Sequence, residues 1–434
     1  MMRDMSIRRA LWSSDTARAV FGPLPGVREI RVACWAVLAV TALLLALSLE
    51  SAVRGRAFLG HQPGGDYMTF YVTGQILNEY PHARVYDVDL QYRLEHALLP
   101  SMPRDVVEKY LNAPFLALLF RPLARIPFLW SYGVWMAFSL ALYLAGLALL
   151  WPPEKDFGGV SRIAFLACCS FSPFAIECLV GGQLSALGFF ALAACTRWRQ
   201  SGHLVAAGAA LALCLYKPPL LVLAVPMLAI GRRFRTLVGF VAGACVLGAL
   251  SLAAVGFDGC VAWLQALRLH AAFTARNPSP LTLFKFVDIH TFFRLLFGGD
   301  SPASAGVALL LAGAAAVYLA IRWARSRPGT QADGLLWAAT IAWTLAFNLY
   351  VPIYDTVLVV ISALSMAGAV YGSQGGRAES DRSAFLGWML ALFVAAWVSQ
   401  PLASYARFQI LTPVLVVVGV LALRFSRRAE TTKA

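Results

Sequence analysis

The chain has 434 residues, of which 59% are hydrophobic and only 13% charged, with a formal net charge of +14. A soluble domain would carry about 25% charged residues, and apolar runs of the roughly 20 residues needed to cross a bilayer recur throughout, which excludes a soluble globular protein. The basic excess does not point to nucleic acid, because most Lys and Arg fall at the ends of apolar runs, where they report orientation.

The pattern predicts an all-α polytopic membrane protein. Residues 1–31 carry Arg3, Arg8, Arg9, Arg18, Arg28 and Arg31 and lack a small-residue cleavage site, so they read as a cytoplasmic tail before a signal-anchor helix. The first span covers 32–49. Residues 51–110 then form a polar interval of about sixty residues, too long for a turn, and read as a large first extracytoplasmic loop. The next run, "LNAPFLALLFRPLARIP", ends in Arg121 and Arg125 and is expected to return to the cytoplasm as a second span. A third follows over 128–151.

Segment 161–197 is broken by "SPF" and "GGQ" and is expected to make one interrupted crossing, with Arg197 and Arg199 inside. Residues 204–230, broken by "KPP" at 217–219, then form a short hairpin with Lys217 at its outer tip. A competing reading uses three ordinary spans and puts Arg197 outside. Broken helices at membrane depth are tolerated where the freed backbone lines a cavity. Further spans are expected over 236–255, 304–323, 334–350, 355–371, 385–399 and 408–423, giving about twelve crossings with both termini inside. Residues 257–303 are left as a second extracytoplasmic segment, whose 281–297 stretch reads as interfacial or re-entrant. Residues 32–424 form one transmembrane domain, and 425–434 a cytoplasmic tail.

The eight cysteines give no disulfide framework, and no Cys/His spacing suggests a metal site. Ionisable groups near the membrane are costly and therefore functional candidates. Asp66 follows Gly64 and Gly65, which allow a tight turn, and takes an N-cap position before "YMTFYVTGQIL". Gln183, Lys217, Arg276, Lys285, Tyr350, Tyr354 and Asp355 also fall at outer ends of spans. Singly, each has an ordinary explanation as a cap or a snorkelling side chain. Together they place acid, base and amide groups around one cavity.

"GGDYMTFYVTG" (64–74) resembles the GxDFxxFYxAG block of the GT-C class glycosyltransferases of family 87, which use polyprenol-phosphate sugars and include bacterial α-mannosyltransferases. The resemblance continues in order through "NAPFLALLFRPLARIP" (112–127), "GGQLSALGFFALA" (181–193) and "YKPPLLVL" (216–223). "NLYVPIYD" (348–355) is similar to the family's Ser-Pro-His-x-x-x-Tyr-Asp but carries Asn348-Leu349-Tyr350 in place of Ser-Pro-His. Tyr350 must therefore replace that His, or its role is absent.

The resemblance implies a GT-C-like bundle in a bacterial plasma membrane with an extracytoplasmic active site. It implies transfer of a hexose such as mannose from a polyprenyl-phosphate donor to a hydroxyl of a lipid or glycan acceptor. No cofactor, metal or nucleic-acid partner is expected; membrane lipids surround the chain. Inverting displacement needs a general base, expected at Asp66, and cationic groups for the leaving phosphate, expected at Lys217, Arg276 and Lys285. Tyr71, Gln183, Tyr350, Tyr354 and Asp355 would bind sugar or acceptor. The alternative is a transporter or flippase, which would show inverted repeats that this sequence lacks. A polymerase or ligase of lipid-linked glycans would place its largest outer loop late in the chain.

Overall fold

With no water in a bilayer core, backbone groups must be satisfied within the chain, and helices are the simplest way to do so. The computed structural model describes residues 26–54, 64–100, 102–103, 107–152, 161–276, 280–372 and 378–431, and among them secondary structure is helical apart from one isolated bridge. Helix α1 is Val27–Val53. In the first loop follow α2 (Tyr67–Glu79), α3 (Val88–Leu98) and α4 (Pro114–Leu123). Then come α5 (Phe128–Leu150), α6 (Ser161–Cys169) with a π-helical extension (Pro173–Val180), and α7 (Ser185–Gln200). Next are α8 (Leu204–Ala212), α9 (Ala224–Ile230) and the long α10 (Phe234–Arg276). The chain finishes with α11 (Ile289–Leu296), α12 (Pro302–Arg325), α13 (Gln331–Ala346), α14 (Val359–Tyr371), α15 (Ala378–Ala406) and α16 (Leu411–Thr431). Among the described residues, seven helical segments are long and apolar enough to cross a membrane. The chain is an all-α polytopic membrane protein.

Three expectations change. The run 112–127 is not a span: α4 has 10 residues, about 15 Å of helix, half a hydrocarbon core. Pro114 opens it and Pro122 and Pro127 stop it. Its apolar face packs under α2, where the Asn78 side chain donates to the Arg121 carbonyl (2.9 Å) and accepts from Arg125 Nε (3.4 Å). Arg121 and Arg125 thus belong to the first loop and mark no change of side.

The segment 161–197 is likewise not one crossing. It folds as two legs, α6 with its π-helical extension and then α7, turning at Gly181–Gly182. Finally, α10 does not end at 255. It kinks at Gly256 (φ 71, ψ −179) and runs on to Arg276. The continuation covers the first loop, with Trp263 Nε1 donating to the Leu111 carbonyl (3.1 Å).

The helices alternate between two ends. One end gathers the turns at 64–66, 181–183, 217 and 348–355. The other gathers Arg199, Arg233 and Asp333, which form buried ion pairs, and Asp381 with Arg428. The core between them is built on large buried rings, among them Trp135, Tyr143, Phe189, Trp323 and Trp337.

Candidate active site

Asp66 is placed by two glycine pairs meeting backbone to backbone. Gly64 (φ 78), Gly65 (φ 53) and Gly182 (φ 69) all adopt left-handed conformations, which L side chains resist. A Cβ on Gly65 would lie 2.5 Å from the Gly181 carbonyl oxygen, and one on Gly182 would lie 2.7 Å from the Gly64 oxygen. The Asp66 amide donates to the Gly181 carbonyl (3.1 Å). The second turn is held in place by α5: Trp135 Nε1 donates to the Gly182 carbonyl (3.0 Å), and the Tyr132 hydroxyl to the Val180 carbonyl. Tyr67, fully buried, stacks on Trp135 and bonds Ser131.

The Asp66 carboxylate does not cap α2, contrary to the sequence expectation; the residue has helical angles (φ −68, ψ −13) and makes no side-chain cap bond. A residue already in the helical region cannot turn its side chain back onto the first-turn N–H groups as an extended N-cap does. Instead Asp66 Oδ2 accepts a hydrogen bond from Gln183 Nε2.

A second cluster forms where the 3₁₀ turn Ile353–Leu358 meets the junction of two others, Leu213–Tyr216 and Pro218–Leu221. Lys217 lies at that junction, and its ammonium pairs with Asp355 Oδ2. Asp355, 1% exposed, also accepts from Ser185 Oγ (2.9 Å). The ammonium lies 4.5 Å from the Tyr354 ring centre and 5.7 Å from that of Tyr350, within cation–π range. Asn348 ties the Pro218–Leu221 turn to the end of α13, donating to the Pro219 carbonyl (2.9 Å) and the Thr344 carbonyl (3.0 Å).

The stretch expected to be re-entrant supplies a further wall. It comprises a 3₁₀ turn, Pro280–Lys285, and α11, docked by backbone pairing: Val287 N donates to Val351 O (2.9 Å), beside the Phe286–Pro352 bridge. Asp288, fully buried, accepts from Val351 N (3.1 Å) and Thr291 N (2.8 Å). Gln409 and Thr412 donate to carbonyls of the same stretch, at 2.9 Å to Phe286 and 2.7 Å to Val287. Lys285 is thereby presented toward the acidic groups around Asp66.

Those groups include two outside the expected site, of which only Glu177 stands out in sequence, as the acid between "SPF" and "GGQ" of an otherwise apolar stretch. Glu177, on the π-helical extension, accepts from Gln400 Nε2 (2.8 Å) and lies within reach of the charges of Asp66 and Lys285. Glu108 is exposed to solvent yet closely surrounded by protein, as a cleft-lining group is. Burial raises its pKa, the Asp66 charge raises it further, and Lys285 opposes both. The Glu108 amide is fixed by Glu95 Oε2 (3.0 Å). Glu95 is fully buried, and desolvation pushes its carboxyl up to about 7. Tyr350 keeps 45% of its surface open, while the enclosure of its phenol and then the charges of Asp355, Asp66 and Asp288 push its pKa up to about 12.

Of the residues selected from sequence, Asp66 and Gln183 touch, and Lys217, Asp355, Tyr354 and Tyr350 form one cluster. Lys285 reaches Glu108 and Glu177 electrostatically. Tyr71 points away from the Asp66 carboxylate, donating to the Ile126 carbonyl (3.1 Å) against the Phe128 ring. The Arg276 side chain lies outside the described residues. Asp288 carries a sequence signal only as a residue type favoured at an N-cap, a place it takes before α11; Glu108 carries none. Asp87 and Asp89 of "DVD" serve α3: Asp87 caps Leu90 N (3.0 Å) and pairs with Arg84 (2.7 Å). Among the described residues no three His, Cys, Asp or Glu side chains converge as metal ligands.

Residues 110–352 match the family model described as glycosyltransferase family 87. The matched region contains Gln183, Lys217, Lys285 and Tyr350, while Asp66 precedes it. No curated protein and no solved structure gives a significant match.

Proposed function

Because the chain belongs to glycosyltransferase family 87, we propose that this membrane glycosyltransferase moves a hexose, mannose in the first instance, from a polyprenyl-phosphate sugar to a hydroxyl of a lipid or glycan acceptor. The observation that carries this reading is the Asp66 carboxylate, held by Gln183 at the junction of two glycine turns and within electrostatic reach of Glu108, Glu177 and Tyr350. An acceptor hydroxyl attacks the anomeric carbon as its proton passes to Asp66. The bond from that carbon to the phosphate oxygen breaks with inversion, and the polyprenyl phosphate leaves. Lys285 and the remaining N–H groups of Lys217 meet the charge developing on the phosphate, each at about the 2.7–4 kcal/mol typical of one preorganised donor.

Tyr350 stands where relatives of the resembled pattern carry His. With its pKa near 12 it stays protonated at neutral pH and donates a hydrogen bond rather than accepting a proton. The proposed side is extracytoplasmic. Arg197, Arg232, Arg235, Arg325 and Arg327 cluster at the end away from Asp66, as cytoplasmic loops do. The reaction is written without a cofactor or metal, in a bacterial plasma membrane with both termini cytoplasmic.

The test uses purified protein, radiolabelled polyprenyl-phosphate mannose and a membrane lipid extract. Wild type should label an acceptor, and Asp66→Asn should not, at equal expression and equal melting temperature. Full transfer by Asp66→Asn would remove Asp66 from the mechanism. Solute movement across vesicles without transfer would favour the transporter reading.

A further inference from the structure

At the end of the bundle away from Asp66, a cavity of about 480 Å³ opens between the ends of α5 and α7 and the start of α13. Its lining includes Arg197, Arg199, Gln200, Gln331 and Trp337. Arg199 is 8% exposed and donates from Nη2 to Asp333 (3.0 Å). Its guanidinium lies 4.5 Å from the Trp337 ring centre and 5.3 Å from that of Trp323. The same carboxylate takes a second buried guanidinium, Arg233 Nη2, at 2.6 Å.

One carboxylate therefore faces two buried guanidinium groups. A buried charge without a counter-charge costs several kcal/mol, and here a single carboxylate serves two guanidinium groups. Arg233 directs its Nη groups to the Gly231 and Ser326 carbonyls as well, leaving only Nε without an acceptor among the described residues. Arg199 does not: among the described residues it commits only the Nη2 bond to a protein acceptor, from a fork that carries five N–H donors. Its uncommitted donors belong to a wall of the cavity. Arg197 on the exposed rim adds a second positive charge, and Thr330 and Gln331 bring the N-terminus of α13, a helix of 16 residues, to the same wall. A helix N-terminus favours an anion, but here the first turn already carries Asp333 and Thr330 Oγ1 accepts its N–H (3.1 Å), so the arginines carry most of the attraction.

We propose that this cavity binds a phosphate group, supplied either by the headgroup of an anionic lipid or by a soluble phosphate. The phosphate takes the open side of the Arg199 fork, with Arg197 and the amides of Gln200 and Gln331 completing its shell. Leu150 and Leu364 line the apolar side, which suits an acyl chain continuing from a headgroup. The site is separate from the transfer site, and the inference does not rest on the glycosyl-transfer reading.

The test uses the purified full chain. Native mass spectrometry compares retention of dioleoylphosphatidylglycerol with that of dioleoylphosphatidylcholine, and tryptophan fluorescence follows a titration with inorganic phosphate. Arg199→Gln removes the buried fork. Arg197→Gln, on the rim, keeps the test usable if the first variant does not fold. A phosphatidylglycerol preference that falls about tenfold in either variant, the size expected of one charge-assisted contact, supports the lipid source. A saturable phosphate response lost in the variants, with both lipids retained equally, supports the soluble source. Equal lipid retention with no phosphate response in wild type, or responses unchanged in both variants, overturns the proposal.

Discussion

Gln183 donates its side-chain amide to the Asp66 carboxylate across 117 residues of sequence. The contact exists because the turns that carry the two residues touch through their own backbones, Asp66 N to Gly181 O. Distance along the chain thus collapses to a single hydrogen bond, and the orientation of the proposed base becomes a property of two loops at once.

Gln183→Ala should therefore lower the transfer rate without lowering donor affinity. The expected loss in kcat is 10- to 100-fold, smaller than the roughly 10²–10⁴ of losing the base itself. Gln183→Glu, which sets a second carboxylate against Asp66, should lose more at pH 7 than at pH 5. Steady-state kinetics on the polyprenyl-phosphate donor separate kcat from KM. A rise in KM alone would make Gln183 a substrate contact rather than a positioning residue.

Two left-handed glycines make a matched pair of stability tests. Gly202 (φ 81) has open space where a Cβ would go, so Gly202→Ala should cost only the conformational penalty, about 1–2 kcal/mol. Gly65→Ala adds a 2.5 Å collision with the Gly181 oxygen and should displace Asp66 as well. Thermal melts in detergent should rank the two, and only Gly65→Ala should also abolish transfer.

The Lys217–Asp355 pair calls for a double-mutant cycle. Lys217→Met leaves a carboxylate 1% exposed without its cation, and breaking a buried pair from one side costs about 3–5 kcal/mol. Adding Asp355→Asn removes the orphaned charge, so the double variant should melt above Lys217→Met. Additive effects would show that the pair is not coupled.

Glu95 gives a pH dependence whose sign is fixed. Its folded pKa, about 7, lies above the ordinary 4.5, so the native loop binds more protons than the unfolded chain between those values. The stabilisation is complete below about pH 4.5 and is lost as pH rises to about 7. Limited proteolysis of the 88–110 region should accelerate over that interval, and Glu95→Gln should flatten the profile.

The residues that sequence made legible are those whose signal is local. Gly64–Gly65 before Asp66, the Lys-Pro-Pro break and the breaks around 181 mark turns by their own chemistry, and each lies at a turn. What sequence could not show was pairing. Nothing near Lys217 points to Asp355, and nothing near Gly181 points to Gly65, because both contacts are set by helix packing. The span expected over 112–127 failed for a related reason. Apolar composition reports burial but not medium, and α4 buries its face against α2. The Asp66 cap failed because residue type indicates a cap where only the backbone angles decide whether one forms.

The contact between residues 64–66 and 181–183, together with the ion pair from Lys217 to Asp355, also sets a timetable for synthesis. Asp66 leaves the ribosome early, but its partner turn follows more than a hundred residues later, and the Lys217 ammonium waits until residue 355 has been inserted. Asp66 waits only until residue 183, but from its own insertion until that of residue 355 the Lys217 side chain is held without its counter-charge. A nascent chain halted before residue 355 should therefore engage membrane-protein quality control, whereas one halted after it should not.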